Sequence, residues 1–212
     1  MKLISNLFLL ALIWLICGAR SCNENDNLRE QRERELLSAS KDSIKDAFEL
    51  SSPSDQQLKT FENTAIQKLT DFADYMKIAS DSSVDGTFRK QAAEMAGKLF
   101  ISGGINTRIW SSMYHENDLS TLDKLIGTSL EKGMPYYNEP IGITVNKSLT
   151  IKNDSTYAGK LTFYLQSAHF DGFKAPVSTP EKRKIDIYAI KKTKQFGKAQ
   201  IKVWEVYLGN MD

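Results

Sequence analysis

The spacing of apolar residues in this 212-residue chain changes once, near Pro140, from steps of three and four to the strand-like step of two. Leu58, Phe61, Ala65, Leu69, Phe72 and Met76 stand at helical intervals, whereas Ile185 to Ile190 and Ala199 to Leu208 read as long strands. Helices written first and strands afterwards argue against alternating βαβ units. The predicted fold is therefore α+β, with N-terminal helices packed on a curved antiparallel sheet formed by the C-terminal half.

The helical half divides at legible punctuation. Residues Asn27 to Leu50 are highly charged, with Leu28, Leu36, Leu37, Ile44 and Phe48 as sparse apolar points, which predicts an exposed helix acting as a stalk or loosely docked arm. Ser51-Ser52-Pro53-Ser54 breaks it, and Ser54 with Gln57 has the spacing of a capping box for the next helix. Asp81, Asp85 and Gly86 mark a loop, after which Phe88, Ala92, Met95, Leu99 and Phe100 predict a third helix ended by Ser102-Gly103-Gly104. A fourth is predicted from Leu119 to Leu130, with Leu122, Leu125, Ile126 and Leu130 inward and Gly133 beyond its end. Phe61, Phe72 and Phe88, at helical spacing, are read as core residues and not as an aromatic ligand box.

In the strand half, Ile141 to Val145, Leu149 to Ile151 and Tyr157 to Gln166 are β-rich, with Asn153-Asp154 as the turn of a hairpin. Asp171 to Glu181 holds Gly172, Pro176 and Pro180 and reads as a loop, and Gln195-Phe196-Gly197 joins the last two strands. Ile201 and Val203 have the opposite parity to Trp204, Val206 and Leu208, which calls for a bulge or a doubly buried strand near Trp204.

The first residues carry an address. Lys2 gives a positive start, Leu7 to Cys17 an 11-residue apolar run, and Gly18, Ala19 and Ser21 are small residues before Cys22. The run is short and is interrupted upstream by Ser5 and Asn6, against the roughly 20 apolar residues of a spanning helix. Ala19-Arg20-Ser21-Cys22 resembles the loose lipobox of bacterial lipoproteins of Bacteroidota type. The resemblance implies a diacylglyceryl group on the Cys22 sulfur, cleavage before Cys22 and acylation of the new amine, hence anchoring to a membrane through the N-terminal lipid. Several chains anchor stably because each buried methylene contributes about 0.8 kcal/mol. Asn23, Glu24, Asn25 and Asp26 resemble surface-export signals of the same lipoproteins, which implies the bacterial cell envelope, at the outer membrane and in one reading at its surface. Ordinary signal peptidase cutting after Ser21, which would leave Cys22 a free thiol, stays open. The expected organisation is a signal peptide over 1–21, a polar tether and charged helix over 22–53, and one α+β domain over 54–212.

Composition limits the chemistry. Without Lys2 and Arg20, 26 basic residues face 26 acidic ones, so net charge names no partner. Cys22 is then the sole cysteine, which rules out an internal disulfide. Basic residues do cluster between Lys182 and Lys202, as Lys182, Arg183, Lys184, Lys191, Lys192, Lys194, Lys198 and Lys202 against Asp186 alone. This basic patch is read either as a hairpin protected from edge pairing or as a surface for an envelope protein or an anionic glycan. Nucleic acid is not expected, because no aromatic stacking pattern accompanies it.

No nucleophile elbow, phosphate-binding glycine loop or zinc motif is present, and no cofactor or metal is expected. His115 with Glu116 and Asp118, and His169 with Asp171, are read as polar loop and strand-end residues before catalytic ones. Asp42-Ser43-Ile44 and Asp154-Ser155-Thr156 match a short O-glycosylation acceptor pattern and also ordinary caps and turns. By order of elements, Ser54 to Leu208 resembles the NTF2-like or cystatin-like folds. That resemblance implies a pocket between sheet and helices. The expected function is non-catalytic binding of a partner protein or small ligand, through aromatic residues such as Trp110, Tyr136, Tyr137, Tyr164 and Trp204. The alternative is a small enzyme or glycan-processing accessory using the same pocket.

Overall fold

The computed structural model describes residues 31–36, 52–102, 105–107, 110, 121–133, 136–169, 179–197 and 199–212. Two compact units divide the chain, Met1–Glu49 and Leu50–Asp212. In the first, residues 31–36 are helical and exposed, Leu36 among them. Cys22 and the rest of the predicted charged helix lie outside the described residues, as does His115.

The second unit carries three described helices, α1 (Asp55–Ser80), α2 (Gly86–Lys98) and α3 (Leu122–Lys132), followed by four strands. The strands are β1 (Tyr136–Asn153), β2 (Thr156–His169), β3 (Glu181–Phe196) and β4 (Ala199–Met211). They form an antiparallel meander in the order β1-β2-β3-β4, each strand pairing with the next in sequence. The α+β arrangement expected from the change of period is the one observed.

Local chemistry explains the helix ends. The Ser54 hydroxyl accepts from the Gln57 amide (3.3 Å) while Gln57 Oε1 accepts from the Ser54 amide (2.8 Å), a reciprocal cap on two otherwise unpaired donors. Asp85 caps α2 by accepting from the Thr87 amide, and Gly133 closes α3 at φ 66°, a region that strains any residue with a Cβ.

α1 is the axis of the fold. Ala65, Leu69, Phe72 and Met76 are buried along one stripe, where Phe72 meets Phe100 edge-on and Trp110 at a tilt, with ring centroids 4.9 and 4.8 Å apart. Against them the sheet presents Leu161, Phe163 and Leu165 of β2, Ile185, Ile187 and Ala189 of β3, and Val206 and Leu208 of β4, each at alternate positions. The sheet curves enough for both of its edge strands to reach α1. Glu62 accepts from the Leu149 amide of β1 (2.9 Å), and Lys68 Nζ stands 5.7 Å from the Tyr207 ring of β4.

Two sequence expectations change. α2 buries Ala92, Ala93 and Ala96 but leaves Phe88 64% and Met95 37% exposed, so Phe88 is not a core residue. Alanines allow α2 to lie close to its neighbours, and the larger side chains one turn away point to solvent. Of the bulge or doubly buried strand expected near Trp204, the bulge is absent, and Ile201, Val203 and Trp204 are each half-buried, so both faces of the strand are partly covered. Pairing of β3 with β4 is continuous from Phe196↔Ala199 to Ile187↔Leu208, and the irregularity comes later, between Leu208 and Met211. There Leu208 exchanges backbone hydrogen bonds with Leu99 and Ile101, which covers the outer edge of β4.

Candidate functional site

An open cavity of about 480 Å³ lies beside the β1–β2 turn, lined by Ser52, Ile151, Asp154, Ser155, Tyr157, Lys191, Thr193 and Lys202. Four pieces of chain build it. The turn is fixed because Asn153 Oδ1 accepts from both the amide (3.0 Å) and the hydroxyl (3.1 Å) of Ser155. The Lys191 amide donates to the Ser155 carbonyl (2.8 Å), which ties β3 to that turn. Thr193 pairs with Lys202 and Lys191 with Trp204, so strand alternation sends these four side chains to the face of the sheet that also carries Tyr157 and Ala189. Ser52 comes from the segment leading into α1.

The lining mixes two chemistries. Ile151 is 63% exposed there, a large apolar side chain that the core leaves uncovered. Tyr157 is buried and meets Trp204 edge-on at 5.5 Å between centroids, and Lys191 Nζ lies 5.8 Å from the Trp204 ring. The indole Nε1 of Trp204 is buried without a hydrogen-bond partner among the described residues. Around this apolar floor stand two ammonium groups, three aliphatic hydroxyls and one carboxylate.

The aromatic residues named from the sequence are not brought together. Trp110 is fully buried against Phe72, and its carbonyl accepts from Asn138 Nδ2 (2.7 Å), so it belongs to the core. Asn138 in turn accepts from the Ser167 hydroxyl, a buried polar pair joining β1 to β2. Tyr164 is 43% exposed and is paired with Ile141 and Lys182 on the face away from the cavity. Tyr137 receives Lys77 Nζ over its ring at 4.0 Å. None of the described members of the set lines the cavity, though Trp204 touches two residues that do, Tyr157 and Lys191; the side chain of Tyr136 lies outside the described residues.

The basic run is divided by the same alternation. Lys191 faces the cavity, whereas Lys182, Lys184, Lys192 and Lys194 fall on the opposite face. Lys192 Nζ donates to Tyr207 Oη (2.8 Å), and Lys194 pairs with Glu205, which also accepts from Tyr207. Those bonds, that from Lys194 first, hold the Glu205 carboxyl below its ordinary range. Arg183 pairs with Glu181. The run is therefore no single patch, and its cavity-facing charge is completed by Lys202 of β4.

Sequence reading did not bring Ser52, Ile151, Asp154, Ser155, Tyr157 and Thr193 together, because each is ordinary in its own segment. Their one common signal was the turn at Asn153-Asp154. His169 is described only as the backbone end of β2, and Asp171 lies outside the described residues. Among the described residues no cluster of His, Cys, Asp and Glu has the arrangement of a metal site, and no helix is long and apolar enough to cross a membrane. Compared with known proteins, the chain matches no family model, no curated protein and no solved structure.

Proposed function

We propose that this chain is a lipid-anchored protein of the bacterial cell envelope, held at the outer membrane by acyl groups on Cys22, whose folded unit binds a partner protein or small ligand without chemical turnover. The observation that carries the binding reading is the cavity beside the β1–β2 turn. Its lining, an exposed isoleucine and a tyrosine ringed by Lys191, Lys202, Ser52, Ser155, Thr193 and Asp154, holds and orients a ligand. Its volume falls within the roughly 300–1,000 Å³ of small-molecule sites.

The anchor reading is supported by the charged start, the apolar run and the small residues before Cys22. The likeness to NTF2-like or cystatin-like folds is supported by a long helix laid along a curved antiparallel meander.

The test is to express the full chain and a Cys22→Ser variant in a bacterium with a complete lipoprotein pathway and to compare membrane partition and intact mass. Acyl mass and membrane retention in the native chain, both lost in the variant, are expected. Release of both chains without acyl mass overturns the anchor.

A further inference from the structure

We infer that the outward side of α2 is a lipid-contact face, on which Phe88 and Met95 enter the headgroup region of a phospholipid layer while Lys90 and Lys98 meet its phosphates. The inference rests on reading the chain as membrane-held, and it names the part of the folded unit that meets the membrane. Three observations carry it.

Apolar exposure is the first. α2 turns Ala92, Ala93 and Ala96 inward and leaves Phe88 64% and Met95 37% exposed. Phe88 is the most exposed large apolar residue described in the Leu50–Asp212 unit. The two side chains stand seven residues apart, two turns and about 10 Å along the axis, so they project from the same side of the helix. Ile101, just past the helix end, is exposed as well. An apolar pair on one helix side, next to a row of alanines that already satisfies the packing, is a surface for something outside the unit.

Charge selects the occupant. The other exposed side chains of α2 are Thr87, Lys90, Gln91, Glu94 and Lys98, two cations and one carboxylate. Arg89 is not among them, because it bonds the carbonyls of Ala79, Ser129 and Leu130. Among the described residues neither Lys90 nor Lys98 forms an ion pair. A second copy seated on this face sets one excess of positive charge against another. A phospholipid layer takes both chemistries, since lysine stems lie along apolar surface while their ammonium groups stay level with the phosphates.

Reach is the third observation. About thirty residues separate Cys22 from Asp55 at the start of α1, a segment that spans at most about 120 Å when fully extended. A unit tethered at Cys22 therefore never leaves the neighbourhood of the lipid, and a weak contact becomes an intramolecular one. Two apolar side chains, each worth about tenfold in partition, are enough under that condition.

The experiment introduces one cysteine, by Phe88→Cys, Met95→Cys or Ile141→Cys, into the full chain carrying Cys17→Ser and Cys22→Ser, and labels it with nitrobenzoxadiazole. Ile141 is the control, exposed on the sheet face turned from the helices, because it pairs with Tyr164, which alternates with the core residues Phe163 and Leu165. Vesicles of phosphatidylethanolamine and phosphatidylglycerol are added at millimolar lipid, with and without nitroxide on the acyl chains. All three chains share one N-terminal segment, so differences among them report on the face alone. The labels at Phe88→Cys and Met95→Cys are expected to shift to the blue and to be quenched by nitroxide, and the label at Ile141→Cys to emit as in buffer. Adding Lys90→Gln/Lys98→Gln to the Phe88→Cys chain is expected to lower the quenched fraction at least about twofold. Thermal melts check that each variant folds.

Unquenched labels at Phe88→Cys and Met95→Cys, equal quenching at Ile141→Cys, or a quenched fraction unchanged without the two lysines overturns the inference. A blue shift at Phe88→Cys that grows with protein concentration in the absence of vesicles also overturns it, because a second copy then covers the face. Acyl mass is read on the native chain and does not enter this measurement, so failure of the anchor and failure of the face are told apart.

Discussion

Arg89 stands in the first turns of α2 and is spent on the interior of the helical layer. Its Nε donates to the Ala79 carbonyl at the end of α1 (2.9 Å), and a terminal nitrogen donates to the Ser129 and Leu130 carbonyls at the end of α3 (2.8 Å each). Carbonyls in the last turn of a helix are short of intrahelical donors, and one planar guanidinium reaches three of them at once, that of Ser129 accepting from the Gly133 amide as well. Arg89→Met is expected to destabilise the unit by about 2–3 kcal/mol, and Arg89→Lys to recover little of this, as read from urea midpoints. Glu205 sets a pH dependence. Its carboxyl lies below the ordinary range because Lys194 and Tyr207 bond the charged form, so its contribution is present above about pH 4.3 and fades as pH falls through the folded value. Urea midpoints measured below about pH 4 are expected to fall less steeply in Glu205→Gln than in the native chain. Gly159 is fixed by contact, since a Cβ there would stand 2.6 Å from the Lys147 carbonyl of β1. Backbone cannot yield as a side-chain tip can, and Gly159→Ala is expected to cost about 1–3 kcal/mol by the same assay.

Among the elements, α1 was the most legible and α2 the least. The capping residues of α1 and its six apolar positions are local facts, and both were read correctly because a 26-residue helix with one buried stripe has few alternatives. In α2 the same periodicity fitted two stripes, one of alanines and one through Phe88 and Met95. Close approach to α1 and α3 chose the alanines. Phe72→Ala is accordingly expected to cost about 3–5 kcal/mol and Phe88→Ser less than about 0.5 kcal/mol, a difference that thermal melts resolve directly. In β4, Trp204 and Val206 do share a face as their parity indicates, and the register shifts only after Leu208. Backbone pairing with Leu99 and Ile101 fixes the edge there, and sequence parity carries no trace of that contact. β1 reads in the sequence as two short runs because its register shifts repeatedly between Ile141 and Asn153, which breaks the alternation a single strand would show.

For the whole molecule, every buried apolar residue of the described core falls between Ala65 and Met211, inside the Leu50–Asp212 unit. That unit produced alone is expected to melt cooperatively at the temperature of the same transition in the full chain, measured by circular dichroism. The sequence by itself determined the fold class, the capping box of α1, Gly133 beyond the end of α3 and the turn at Asn153-Asp154, because periodicity and backbone chemistry act over a few residues. The proposed membrane address rests likewise on the first 22 residues of the sequence alone. Only the tertiary structure decided which lysines share a face, which phenylalanine is core, and that Ser52, Ile151, Tyr157, Lys191 and Lys202 meet at one cavity. Those residues are separated by up to 150 positions in the chain. Strand register and sheet curvature, set by packing around α1, bring them together, and no local pattern encodes that distance.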